Sequence, residues 1–208
     1  MRFSEKNIKE LNRVRRLNLI NGISGIKSAN LIGTYSKTSA NLSIFSSVVH
    51  IGSDPALLGF IVRSSSEFRS DTLENIKSNG VFTINHIHES IIEQAHNTSA
   101  KIETERSEFE VCGLTEEYLN DFPAPYVKEC HLKIGLSFVE QIAIKSNGTS
   151  MIIGAIKDLY IPKECIDDKG YIRLDRVFTV GIGGLNSYYG LNRIASFPYA
   201  RPDHLPKI

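Results

Sequence analysis

The stretch Leu31–Arg63, LIGTYSKTSANLSIFSSVVHIGSDPALLGFIVR, decides the fold. It divides into three β-strands in succession. The first opens at Leu31–Thr34. Residues 42–51 alternate with a two-residue period and read as the second. Asp54-Pro55 marks a turn, and residues 56–62, ALLGFIV, are apolar throughout and read as a strand buried on both faces. The middle strand region carries Asn41, Ser43, Ser46 and Ser47 where a purely structural strand would carry Val or Ile. A wall kept small and hydroxyl-rich leaves room for a flat polar ligand. Serines set among Ile44, Phe45, Val48 and Val49 are expected to include at least one that is buried, and a buried hydroxyl needs a partner. The competing reading is an exposed strand face.

Working outward, Asp71 with Glu74 reads as a capping box opening a helix that Gly80 ends. Residues 81–87 form another strand, and Ser90 with Glu93 reads as a second capping box. Residues 100–127 are polar and turn-rich, an expected excursion outside the core with helical turns near 105–109 and 115–119. From Leu132 the even positions are apolar and only Glu140 interrupts them, which gives a long strand bent near that residue. Asn147-Gly148 is a hairpin signal, and residues 150–160 are the return strand. Ser4 caps an expected helix over residues 4–15, and the tail from residue 195 carries three prolines and runs extended. The expectation is a mainly β chain with peripheral helices, an antiparallel closed or partly closed barrel forming one domain over residues 1–208.

Composition narrows the classes of function. Of 208 residues, 24 are Lys or Arg and 23 Asp or Glu, so a net charge of +1 argues against nucleic acid or an acidic membrane held by bulk charge. Arg13, Arg15 and Arg16 remain as a local basic group, read first as a solvated helix face. Cys112, Cys130 and Cys165 are widely spaced, odd in number and without a CxxC, which suits a reducing cytoplasm. The charged N-terminus is unlike a signal peptide, and no apolar run reaches the roughly 20 residues of a membrane helix.

There is no Walker A sequence, no GxGxxG inside a βαβ unit and no GxSxG elbow. His86 and His88 share a strand face, but no Asp, Glu or Cys stands at an obvious partnering distance, so no metal is expected. Arg63 ends the apolar strand, and Arg69, Ser70 and Thr72 stand at the entrance of the next helix. Arginines, hydroxyls and free N–H groups at a helix N-terminus make an anion site; a capped surface helix explains Asp71 and Glu74 equally well. Tyr188, Tyr189, Phe197 and Tyr199 suit either a stacked ring system or a subunit interface.

The run SANLSIFSSVVHIGSDPALLGFIVR, then DTLENI, then GVFTINHIHE, resembles the flavin reductase-like family of the FMN-binding split-barrel superfamily. The later GLTEEYL, the Asn147-Gly148 hairpin and the terminal ASFPYARP extend the likeness over most of residues 18–205. The resemblance implies a Greek-key-like, homodimeric split β-barrel binding FMN, with FAD or riboflavin as variants. It places Asn41, Ser46, Ser47 and Val48 along the isoalloxazine, Arg63, Arg69 and Thr72 at the phosphate, and His86 near the flavin edge as a candidate catalytic side chain. It further implies an NAD(P)H-dependent flavin reductase that transfers hydride to flavin N5; the alternative is a flavin-binding electron carrier or sensor without nicotinamide turnover. Because the cofactor carries the redox chemistry, the lack of a catalytic triad is expected.

Overall fold

The computed structural model describes residues 1–63, 70–102 and 106–201. Helices α1 (Glu5–Glu10) and α2 (Arg13–Gly22) lead into strands β1 (Lys27–Ser28), β2 (Asn30–Tyr35), β3 (Ala40–Phe45), β4 (Val49–Ser53) and β5 (Ala56–Arg63). Then come α3 (Asp71–Asn79), β6 (Val81–His86), α4 (Ile92–Asn97), α5 (Glu108–Cys112), β7 (Glu116–Glu117) and β8 (Tyr126–Val127). The long hairpin β9 (Lys133–Ile144) and β10 (Thr149–Tyr160) follows, with β11 (Val180–Gly183) and β12 (Ser187–Gly190) after it.

Seven strands make one antiparallel sheet in the order β3-β2-β6-β9-β10-β5-β4. Strands β3 and β4 are neighbours in the chain yet lie at opposite edges. Phe45 and Val49 are four residues apart, a reach of about 14 Å at most. The two edges must therefore approach each other, and the sheet curls into a barrel. Phe45 on β3 meets Phe60 on β5 edge-on at 5.0 Å, and Phe60 meets Phe82 on β6 at 5.6 Å, so aromatic rings fill the interior across this closure. Ile32, Val62, Ile84, Leu136 and Ile152 complete the barrel core, and α3 seals it with Leu73 and Ile76. A second core lies on the outer face of β2 and β3, where Leu31 and Leu42 pack with Ile87, Ala95, Phe109, Val127 and Val180.

Local chemistry corrects several expectations. The first helix is two, because Leu11 turns extended and Asn12 caps a new start by accepting from the Arg15 N–H at 2.9 Å. The cap of α3 is Ser70, not Asp71; its hydroxyl accepts from the Leu73 N–H at 3.3 Å, which moves the frame by one residue and dissolves the expected box. Gly80 ends α3 in the left-handed region, φ +72°, as expected. Ser90 caps nothing, because its hydroxyl goes to His88 Nδ1 at 2.8 Å. Residues 116–117 are a strand paired with β8 instead of a helical turn.

Nor is the 100–127 region an excursion outside the core. Phe109, Leu114, Phe122, Ala124, Tyr126 and Val127 are buried. The region fits because Gly33 and Gly135 make room: a Cβ on Gly33 would stand 2.2 Å from the Pro125 carbonyl oxygen, and one on Gly135 2.3 Å from the Tyr126 hydroxyl. Strand β5 is not buried on both faces either; Phe60 and Val62 point into the barrel, while Leu57 and Ile61, on the other face, are only half-buried. The bend near Glu140 is present, as a bulge where Ile153 pairs Glu140 and Gly154 pairs Phe138.

Candidate functional site

The expected single strand over 42–51 is broken. It ends at Phe45 and resumes at Val49, and Ser46, Ser47 and Val48 link the two barrel edges. The cause is visible at Ser47. Continuing the β4–β5 register beyond Val49↔Gly59 would put Ser47 opposite Ile61. Instead of its main chain, Ser47 offers its side chain: the hydroxyl accepts from the Ile61 N–H at 3.0 Å and donates to the Ile61 carbonyl at 3.2 Å. One hydroxyl thus fills both ladder positions, and no hydrogen bond among the described residues reaches the Ser47 main chain. The break also shifts the phase of alternation, so that Val48 packs against the barrel core along with Phe45.

At the other end of β3 the polar side chains are closed on one another. Asn41 Oδ1 accepts from the Thr34 hydroxyl at 3.0 Å and from the Thr72 hydroxyl at 3.3 Å. Asn75 Nδ2 donates to Thr34 at 3.2 Å. The Asn41 Nδ2 and the Leu42 N–H both donate to one oxygen of Glu108, at 3.1 and 3.0 Å. Thr72 is buried, and its hydroxyl proton is committed to Asn41. What this corner can offer an anion is therefore main-chain N–H at the start of α3 more than the Thr72 hydroxyl.

Register places His86 at the Ser46 end of the sheet. Asn30 pairs Phe45 on one side and His86 on the other, so the three side chains share the inner face. His86 Nδ1 lies 3.3 Å from the Thr179 hydroxyl, and burial pushes its pKa down to about 4, so the ring is neutral near pH 7. Between them Asn30 is fully buried, and its Oδ1 has no hydrogen-bond partner among the described residues. His88, on the far side of the strand end, sends Nε2–H to the Glu129 carbonyl at 2.8 Å, which makes Nδ1 the acceptor from Ser90. Among the described residues no group of His, Cys, Asp and Glu could hold a metal ion.

The structure thus brings Asn41 and Thr72 into contact and puts Ser47 on Ile61, two residues from Arg63. It leaves His86 two strands round from β3, on β6 beyond β2. Arg63 is exposed, and its Nη2 lies 3.4 Å from Asn21 Oδ1 on α2, with no hydrogen bond to Thr72 among the described residues. Arg69 lies outside the described residues. From Asn41 to Ser46 is five strand residues, about 17 Å, comparable with an extended mononucleotide. Sequence reasoning missed Thr34, Glu108 and Thr179. Glu108 is 67 positions from Asn41, in a stretch that reads only as a short helical turn, and no local signal marks its side chain as a partner of β3.

The family model for the flavin reductase like domain matches residues 27–179. The chain belongs to this family. A protein from Shewanella frigidimarina, assigned as a flavin reductase with a split barrel domain, is 46% identical over 96% of this chain and 100% of its own, with a TM-score of 0.91. Nitrilotriacetate monooxygenase component B from Bacillus cereus shares the fold at 18% identity, over 95% of this chain and 98% of its own, TM-score 0.82. Flavoredoxin of Desulfovibrio vulgaris does so at 22% identity, over 84% and 92%, TM-score 0.73. The Bacillus subtilis protein YwrF is 25% identical over 142 residues, 66% of this chain and 69% of its own. The curled seven-stranded sheet is the split barrel of these proteins, and the chain is a flavin-related oxidoreductase.

Proposed function

We propose that this chain is an NAD(P)H-dependent flavin reductase, holding FMN along β3 with the ring against Ser46–Val48 and the phosphate towards the start of α3. The observation that carries the reading is the Ser47 substitution of side chain for main chain. It keeps the barrel edge satisfied while leaving an N–H and a C=O open beside small residues, which suits the polar edge of a flat heterocycle. The bound flavin would supply the two-electron chemistry, accepting a hydride from reduced nicotinamide. The chain's own part is to bind and orient. Val48 and Phe45 give the ring an apolar backing, Asn41 fixes the start of α3, and Arg63 and Arg69 add positive charge at the phosphate. The neutral His86 stands at the ring end as a hydrogen-bonding group, one ring nitrogen a donor and the other an acceptor, and carries no charge near pH 7.

A homodimer belongs to the same proposal. Helix α2 buries none of its residues, Val14 is 68% exposed, and Phe197 and Tyr199 in the tail are more than 80% exposed. Such apolar surface calls for a cover, and light scattering reads the mass. The three buried free thiols suit a cytoplasmic, single-domain protein.

The test is an absorption spectrum with FMN supplied, followed by anaerobic mixing with NADH or NADPH. Uptake of FMN and bleaching by a nicotinamide are expected. Uptake without bleaching gives the electron-carrier reading. Failure to take up FMN overturns both.

A further inference from the structure

We infer that Glu108 is a positioning residue for the flavin phosphate, acting through Asn41 and Thr72. The inference rests on the flavin-binding reading above.

Strand β3 is a sheet edge, so the outward Leu42 N–H has no strand partner. Glu108, the first residue of α5, supplies one, and with the same oxygen takes Asn41 Nδ2. A carboxylate accepts and cannot donate when ionised. Facing it, the Asn41 amide has one satisfactory orientation: nitrogen towards Glu108, oxygen towards Thr34 and Thr72. That oxygen fixes the Thr72 hydroxyl and with it the second residue of α3. Ser70 fixes the same turn from the other side through the Leu73 N–H. The first turn of α3, where the phosphate is proposed to sit, is therefore aimed by a relay that begins on α5, outside the pocket. Glu108 touches neither ring nor phosphate in this arrangement.

Because the relay ends at the phosphate end alone, its loss distinguishes FMN from riboflavin, which lacks the phosphate. Titrate flavin fluorescence quenching with wild type, Glu108→Ala and Glu108→Gln. Wild type should bind FMN more tightly than riboflavin. Glu108→Ala should weaken FMN about tenfold, the size of one lost charge-assisted hydrogen bond, and leave riboflavin unchanged. Glu108→Gln, whose amide oxygen can still accept from Asn41 and Leu42, should recover most of the FMN affinity. An equal loss of both flavins, or no loss of either, overturns the relay. If Glu108→Ala does not fold, Thr72→Val tests the same chain with the same two flavins: an FMN-selective loss supports the relay, and a loss shared with riboflavin overturns it. A wild-type protein that binds neither flavin removes the function proposed above, and the relay with it.

Discussion

The two ends of β3 solve the same problem in opposite ways. At Asn41 the edge strand carries a polar side chain that is enclosed by protein partners: Thr34, Thr72, Asn75 and Glu108 close the circuit. At Ser47 the side chain is spent on Ile61 and the main chain is left open. The first arrangement is finished before any ligand arrives and holds geometry. The second is unfinished on the protein side and has hydrogen-bonding capacity to give. A binding strand needs both, since a site that is open everywhere would cost ordering on binding, and one closed everywhere would have nothing to offer.

The comparison can be broken most forcefully at the closed end. Replacing Asn41 by Leu takes the acceptor from the buried Thr34 and Thr72 hydroxyls together and one of its two donors from Glu108, and stability should fall by about 4 kcal/mol in urea unfolding. A loss under 1 kcal/mol would show that the circuit holds little. The open end gives the next largest effect, through pH. His86 has its folded pKa near 4 against an ordinary 6.5. Above pH 6.5 neither the folded nor the unfolded chain is protonated there, and nothing is lost. Between 6.5 and 4 the unfolded chain takes up a proton that the folded chain refuses, so stability should fall by on the order of 3 kcal/mol and then level off. His88, also pushed down by burial, adds in the same direction. His86→Asn should flatten most of this slope; a variant that loses stability as steeply as wild type between pH 7 and pH 4 assigns the slope elsewhere.

Smaller changes sharpen the contrast at the open end itself. Ser47→Ala removes both partners of Ile61 and should cost about 1–2 kcal/mol. It should also slow amide exchange at residue 47, because the freed segment can then pair through its backbone. Ser46→Ala should change stability by less than about 0.5 kcal/mol, since the Ser46 hydroxyl makes no hydrogen bond among the described residues. Equal costs at 46 and 47 would erase the distinction between them.

What was legible in the sequence follows the range of the forces involved. Period-two alternation and the Asn147-Gly148 turn fixed the β9–β10 hairpin, and the single charge at Glu140 marked its bulge, because each is set within a few residues. Cap positions slipped by one at Ser70 and Asp71, where adjacent residues both suit the role and only the tertiary position of α3 chooses. The small polar residues at 46 and 47 signalled something other than a plain strand. Alternation could not show that the strand stops there, since the stop depends on Ile61, fourteen residues on. The closed end was only half legible: Asn41 and Thr72 stood out, but the keystone, Glu108, comes from a segment whose composition reads as solvent-exposed, and which fits only because Gly33 and Gly135 lack side chains.

The three residues that join β3 to β4 are also the one covalent seam between the two edges of the sheet. Whatever grips that seam restrains both margins at once. Ligand occupancy and barrel breathing are then a single thermodynamic cycle. The free energy of binding should reappear as hydrogen-exchange protection in β4 and β5, strands that a ligand lying along β3 need not touch.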